Sequence, residues 1–111
     1  MSHSDYAKKV DSNHAAIREY IRDRLHYYWI DTFRFGCGFP DAVVIAKNGI
    51  PVMFEIKTHG GRMEPLERKL QQNLSDAGYP FYFVVFSPED AESALAYVEA
   101  FELVEKKPGG E

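Results

Sequence analysis

Apolar residues recur along this chain with a helical period in some stretches and in strand-like runs in others. Asp11-Ser12-Asn13, three residue types that favour helix starts, precede the first helical stretch. The apolar positions that follow, three or four residues apart, predict a helix whose buried stripe is Ile17, Ile21, Leu25 and Tyr28. Runs rich in Val, Ile and Phe then predict three strands, at residues 29–35, 42–46 and 52–57.

The second half of the chain predicts a helix, a strand and another helix. Glu64-Pro65 begins the first of these helices and Gly78 ends it, because Pro suits a first turn and Gly suits a C-terminal cap. The expected core stripe of this helix is Leu66, Leu70, Leu74 and Ala77. Residues 81–86 are apolar throughout, which predicts a strand covered on both faces. Ser87-Pro88-Glu89-Asp90 opens the last helix, whose expected inward residues are Ala91, Ala94, Leu95 and Val98.

This order of elements, α-β-β-β-α-β-α, predicts an α/β fold with a mixed central sheet flanked by helices. The step from residues 52–57 to residues 81–86 should be a right-handed crossover that packs its helix on the sheet. The length of 111 residues suits one domain, which we place at residues 11–103. Residues 1–10 are expected to form a flexible arm and residues 104–111 a flexible tail.

Composition narrows the class of protein. With 45% hydrophobic residues the chain can bury a core, and its single cysteine excludes an internal disulfide. The polar N-terminus does not resemble a signal peptide and no apolar run could span a bilayer, so we expect a cytoplasmic protein without a membrane segment. The net charge of −4 argues against a protein that coats nucleic acid generally, but it permits an enzyme whose metal ions bind the phosphate.

The Asn48-Gly49 pair predicts a β-hairpin between the second and third strands. A two-residue turn would pair Ala42 with Glu55. A three-residue loop at residues 47–49, with glycine in the left-handed conformation, would instead pair Asp41 with Glu55. We expect the three-residue loop, or a bulge in the following strand, because it brings the two carboxylates about 5 Å apart at their Cβ atoms.

Asp41, Glu55 and Lys57 would then form a candidate catalytic site. Glu55 and Lys57 are two residues apart and share a strand face. Phosphodiester hydrolysis needs an activated water molecule and a positive charge that offsets the negative charge of the phosphate. A divalent ion held by carboxylates supplies both. We expect Asp41 and Glu55 to bind Mg²⁺ or Mn²⁺ together with the backbone carbonyl of Ile56, and Lys57 to orient the attacking water. The alternative interpretation is an ordinary solvated strand face, since such short motifs arise often by chance.

A wider set of residues resembles one nuclease family. The set comprises Gly38-Phe39-Pro40-Asp41, Phe54-Glu55-Ile56-Lys57, Gly61-Arg62-Met63, Pro65 and Gly78. Together these residues resemble the VRR-NUC domain of the PD-(D/E)xK nuclease superfamily, over about residues 12–100 and in the same order of elements. The resemblance implies a restriction-endonuclease-like core, a divalent metal and cleavage of structured or branched DNA such as Holliday junctions. It also implies a stand-alone phage or bacterial protein that forms a homodimer, with Asp41 and Glu55 on the metal and Lys57 as the catalytic lysine.

The chain departs from the family in two places. The family usually has a Glu at the start of the first helix, where this chain has Asn13. The family also favours a Gln in the first turn of the later helix, where this chain has Glu67, with Gln71 one turn further on. These three residues are candidate accessory members of the site.

Three other residues are candidates for contacting DNA. His59 and Arg62 flank a Gly-Gly pair close to Lys57, and Arg34 lies between two phenylalanines. His59 and Arg62 could contact phosphate, the arginine through a bidentate fork, and a polar turn is the alternative. The aromatic segment around Arg34 could stack bases, and a core or dimer surface is the alternative. Asn13 and the acidic net charge also keep two other functions open: a catalytically weak or inactive DNA-binding module, and a self-associating structural protein.

Overall fold

The structure, a computed structural model, describes residues 12–101 and contains the predicted order of elements. The elements are helix α1 (Ser12–Arg18) with a π-helical continuation (Glu19–Arg24), strands β1 (Tyr28–Asp31), β2 (Ala42–Ile45) and β3 (Pro51–Ile56), helix α2 (Pro65–Asp76), strand β4 (Tyr82–Val85) and helix α3 (Pro88–Glu99). The predicted arm at residues 1–10 and tail at residues 104–111 lie outside the described residues. No helix among residues 12–101 is long and apolar enough to cross a bilayer.

A mixed four-stranded sheet with the order β1-β2-β3-β4 forms the centre of this α/β fold. The β1/β2 and β2/β3 pairs are antiparallel and the β3/β4 pair is parallel, as the sequence predicts for strands joined through a helix. One face of the sheet, with Val44, Val52 and Phe54, is fully buried in the core. Ile17 and Leu95 of the two flanking helices belong to the same core cluster. The opposite face carries Glu55 and Tyr82 of the candidate site among apolar residues such as Val43, Met53 and Val84.

Helix α3 forms as predicted. The hydroxyl of Ser87 accepts a hydrogen bond from the backbone N–H of Asp90 at 3.0 Å, which caps the helix start. Its four predicted inward residues, Ala91, Ala94, Leu95 and Val98, are all buried.

The β2–β3 hairpin has the predicted three-residue loop. Ala42 pairs with Phe54 and Ile45 with Pro51, so Asp41 lies opposite Glu55 one step further along the ladder. The N–H of Ala46 donates to the carbonyl of Ile50 at 2.9 Å, leaving residues 47–49 as the loop. Gly49 has φ 89°, a conformation that glycine adopts without strain. The register prediction on which the candidate site depends is therefore confirmed.

The predicted first helix and first strand differ from the structure at their junction. Tyr28 is not part of a buried helical stripe: it begins β1 and is 69% exposed. The π-helical continuation explains this, because its wider turns, such as Leu25 N–H to Tyr20 carbonyl at 3.0 Å, break the spacing of an α-helical stripe. Strand β1 ends at Asp31 rather than at residue 35, since the next N–H, of Thr32, bonds to Asp41 and the chain turns there.

Helix α2 forms at its predicted position but presents a different face to the sheet. Gly78 caps it as predicted, with φ 94° and a hydrogen bond from the N–H of Tyr79 to the carbonyl of Leu74 at 2.8 Å. The predicted core stripe is wrong, because none of its residues is buried. The half-buried row is Glu67, Leu70, Gln71 and Leu74.

The ion pair between Glu67 and Lys57 explains this rotation of α2. Adjacent helical positions are about 100° apart, so turning Glu67 towards the sheet turns Leu66 towards solvent, where it is 58% exposed. Leu70 and Leu74 of the predicted stripe stay half-buried, whereas Ala77 is exposed.

Candidate active site

Asp41, Glu55 and Lys57 converge where β2 begins and β3 ends. The N–H of Asp41 donates to the carbonyl of Phe54 at 2.9 Å, which keeps Asp41 in the ladder opposite Glu55. Its carboxylate Oδ2 accepts the N–H of Ile56 at 2.8 Å. The N–H of Lys57 bonds to the carbonyl of Val85 at 3.1 Å, so the strand geometry continues to the lysine. Backbone hydrogen bonds therefore fix the positions from which these three side chains project.

Glu55 lies at the buried centre of the site. It is 3% exposed, and its Oε2 lies 3.4 Å from Nζ of Lys57. The buried hydroxyl of Tyr82 donates to Oε1 at 3.5 Å. A carboxylate removed from water in this way is costly unless a proton or a cation accompanies it.

The two facing carboxyls are both harder to ionise than in water. Burial, followed by the charges of Asp41 and Glu67, raises the pKa of Glu55 to about 9. Burial also raises the pKa of Asp41, although the hydrogen bond from Ile56 and the positive charge of Lys57 oppose the shift. The site therefore holds more carboxylates than its one lysine can neutralise.

Glu67, at the N-terminal turn of α2, holds Lys57 in place. Its Oε1 lies 2.9 Å from Nζ of Lys57 and accepts the N–H of Glu64 at 2.8 Å. Burial alone would raise the pKa of Glu67, but the bonds from Glu64 and Lys57 outweigh it and lower that pKa. Burial likewise opposes the ammonium form of Lys57, yet Glu67 and Glu55 raise its pKa above the ordinary value. Lys57 is thus an ammonium group at neutral pH.

Asn13 contacts the site through a hydrogen bond from its side chain to the backbone of Lys57. Its side-chain Nδ2 donates to the carbonyl of Lys57 at 2.8 Å and so ties α1 to the end of β3. A glutamate at this position would lack that donor. The neighbouring His14 is 5% exposed, and its Nε2 lies 3.4 Å from Oδ1 of Asp31.

Tyr82 is a member of the site that the sequence did not predict. It is buried on β4, and burial together with the charge of Glu55 raises its pKa above the ordinary value. The parallel register pairs Glu55 with Val84, which places Tyr82 two residues away on the same strand face. A hydroxyl-bearing aromatic in an otherwise apolar strand was the available signal, because a buried tyrosine hydroxyl usually finds a partner.

The remaining candidates lie around the site rather than in it. Gln71 is half-buried one helical turn after Glu67. Arg62 is exposed, and the backbone of the adjacent Gly61 lies close to the Lys57 side chain. His59 packs edge-on against the ring of Phe86, with centroids 6.3 Å apart.

Arg34, the last predicted DNA-contacting residue, stacks over the ring of Phe33 at 5.3 Å from its centroid. Neither Arg34 nor His59 nor Arg62 makes a hydrogen bond or ion pair with the three central residues, as far as residues 12–101 show.

The central residues offer oxygen ligands for a hard divalent cation. Within residues 12–101, no three His, Cys, Asp or Glu side chains form a group placed to hold a metal ion. A cation would thus be held by the carboxylates of Asp41 and Glu55 and by non-side-chain oxygens. Oδ1 of Asp41 accepts no hydrogen bond from the described residues. The Ile56 peptide borders the site through its N–H, and its carbonyl stays a predicted ligand.

Comparison of this chain with protein-family models, with curated proteins and with solved structures gives no match.

Proposed function

We propose that this chain is a Mg²⁺- or Mn²⁺-dependent DNA endonuclease with a restriction-endonuclease-like core, of the VRR-NUC kind. The observation that carries the proposal is the convergence of two acids and a lysine from separate parts of the chain. Asp41 lies opposite Glu55 across the β2–β3 ladder, and Lys57 lies 3.4 Å from Glu55. The mixed sheet between helices is compatible with that core and is also common to other α/β folds.

The donor chemistry of the site suits the proposed metal ion. Glu55 is buried, Asp41 is half-buried, and both have raised pKa values, so a divalent cation would offset the negative charge that a single lysine leaves unbalanced. Carboxylate and carbonyl oxygens are the ligands that Mg²⁺ and Mn²⁺ prefer. When bound, such an ion polarises the phosphate and lowers the pKa of a water molecule.

Lys57 acts in this proposal as a charged donor and not as a general base. Its raised pKa keeps the amine protonated, so it has no lone pair with which to take a proton from water. As an ammonium it can orient the attacking water and offset negative charge that develops on the phosphate. Glu67 holds the ammonium group in position, with its Oε1 at 2.9 Å from Nζ of Lys57.

Branched DNA such as a Holliday junction is the proposed substrate, and a homodimer the proposed active form. Both follow from the family resemblance and from the size of a four-way junction. Sedimentation equilibrium should show a dimer at micromolar concentration, and monomers alone at high concentration would contradict this part of the proposal.

A second candidate, a DNA-binding module without cleavage activity, is favoured by Asn13. A neutral amide here forms a structural bond to the Lys57 carbonyl, and it adds no negative charge to the metal site. A site with only two acidic ligands binds a divalent ion more weakly than one with three. The same assay separates the two candidates, because the module would bind branched DNA without nicking it in Mn²⁺.

The decisive experiment is cleavage of a labelled branched DNA in Mn²⁺ by the wild type, by Lys57→Ala and by Lys69→Ala. Lys69 is exposed on α2 and forms no hydrogen bond or ion pair with the site residues, so it serves as the matched control. We expect Lys57→Ala to lose cleavage by about 10²-fold or more and Lys69→Ala to retain it. Circular dichroism should show that both variants are folded.

Two results would count against the nuclease assignment. Full activity of Lys57→Ala would show that Lys57 has no catalytic role. Cleavage that persists in excess EDTA would show that the reaction needs no divalent metal.

A further inference from the structure

Two shallow grooves meet along one side of helix α2. One has a volume of about 460 Å³ and is lined by Arg62, Met63, Arg68, Gln71 and Gln72. The other has a volume of about 250 Å³ and is lined by Gln71, Gln72, Ser75, Tyr79, Pro80 and Tyr82. Because Gln71 and Gln72 line both, the grooves form one trough from Arg62 to Tyr82, which we name the α2 groove.

The α2 groove is locally basic in a chain whose net charge is −4. Arg62 and Arg68 are exposed, and neither forms an ion pair with a carboxylate of the described residues. Arg68 donates from Nε to the carbonyl of Met63 at 3.4 Å, which holds its guanidinium at the groove and leaves its other N–H groups for a ligand. Among the described residues, no Asp or Glu lines the groove.

The α2 groove adjoins the active site at two points. Glu67, Gln71 and Ser75 are four residues apart and share one face of α2, so the face that contacts Lys57 continues into the groove. At the far end the groove reaches Tyr82, whose hydroxyl donates to Glu55. A polymer lying in the groove would therefore follow the α2 face that contacts Lys57 and reach Tyr82 at the far end.

We propose that the α2 groove binds a single-stranded DNA segment that leads into the active site, a proposal that rests on the proposed nuclease function. The two arginines can bind phosphates, and the amide of Gln71 can donate to and accept from base edges. Nε2 of Gln72 donates to Oδ1 of Asp76 at 2.8 Å, so Gln72 offers its amide oxygen as an acceptor. A duplex carries about one charge per 1.7 Å and demands a broad basic surface. Two arginines beside a narrow trough fit a single strand, such as the arm of a branched or overhanging DNA.

The test is fluorescence anisotropy with the full chain in EDTA, which prevents metal-dependent cleavage. The probes are a fluorescein-labelled duplex that carries a single-stranded arm and the same duplex without the arm. The test variant is Arg62→Ala with Arg68→Ala. The matched control is Arg24→Ala with Lys47→Ala, which removes the same charge from residues stacked over Tyr20 and Tyr27.

We expect the wild type to prefer the armed DNA and the test variant to lose that preference, by about tenfold at low salt. Each phosphate contact with a single strand contributes about 0.7 to the slope of log affinity against log salt, so the slope should fall by about 1.4. The control variant should keep the preference, and so should Arg62→Lys with Arg68→Lys, which retains the charge.

Failure of this proposal differs from failure of the nuclease assignment. Equal preference in the test and control variants, with a wild type that cleaves, overturns the groove proposal alone. A wild type that binds neither probe and cleaves no DNA overturns both.

Discussion

Replacing Glu55 by Gln should stabilise the ion-free protein at alkaline pH relative to the wild type. Glutamine has nearly the shape of glutamate, and its amide oxygen can still accept a hydrogen bond from Tyr82. It cannot ionise, so folding no longer requires a proton on a carboxyl group that is 3% exposed beside Asp41 and Glu67. The variant thus removes the charge while it preserves the packing.

The sign and size of the effect follow from the pKa of Glu55. Its ordinary value is 4.5, and burial with the neighbouring charges raises it to about 9 in the folded protein. A raised pKa contributes stability that is fully present below the unfolded value and is lost as the pH rises through the folded value. Between these limits each pH unit removes about 1.4 kcal/mol, so the wild type should lose about 3 kcal/mol from about pH 6 to about pH 8.

Urea unfolding in EDTA at these two pH values measures the effect. The wild type should lose about 3 kcal/mol more than Glu55→Gln, a large share of the 5–15 kcal/mol that is typical of domains (about 0.1 kcal/mol per residue). Glu19→Gln, at an exposed carboxylate on the π-helical stretch, should keep the wild-type pH dependence. Saturating Mn²⁺ should restore the stability of the wild type at the higher pH. An equal pH dependence in the wild type and Glu55→Gln would refute the reasoning.

Three further substitutions test the surroundings of the site. Gly38→Ala should cost about 1–3 kcal/mol more in urea unfolding than Gly36→Ala: both have positive φ, but only at Gly38 would a Cβ lie 2.6 Å from a backbone oxygen. Equal losses would show that the close approach is unimportant. Glu67→Gln should retain most cleavage activity, because its amide oxygen can still accept a hydrogen bond from Lys57. Glu67→Leu should lose cleavage activity by about tenfold or more. A fully active Leu variant would show that Glu67 does not position Lys57. Asn48→Ala should lose about 1–2 kcal/mol of unfolding free energy, because its amide donates to two carbonyls at the end of α3, and an unchanged urea midpoint would contradict this.

The hairpin shows what could be predicted from the sequence. Local turn chemistry gave two registers, and the requirement that Asp41 face Glu55 chose between them. The three-residue loop with Gly49 at positive φ confirms that choice. Helix α3 was predictable for a similar reason, since its capping residue and its apolar period agree.

Features that depend on contacts between distant residues could not be predicted. The rotation of α2 arises from the bond between Glu67 and Lys57, which overrides the leucine spacing. The place of Tyr82 depends on the parallel register of β4, for which the sequence holds no turn signal. The π-helical widening after Arg18 also has no signal in the apolar period.

The two long helices are attached to the sheet by different physical means. Helix α3 buries four side chains, whereas α2 buries none and is held at its start by the charge on Lys57. Local opening favours elements that bury little apolar surface, so of these two helices we expect α2 to detach at the lower free energy. Its detachment would leave the core intact but separate Lys57 from Glu67. The pKa of Lys57 therefore depends on whether helix α2 is docked against the rest of the fold.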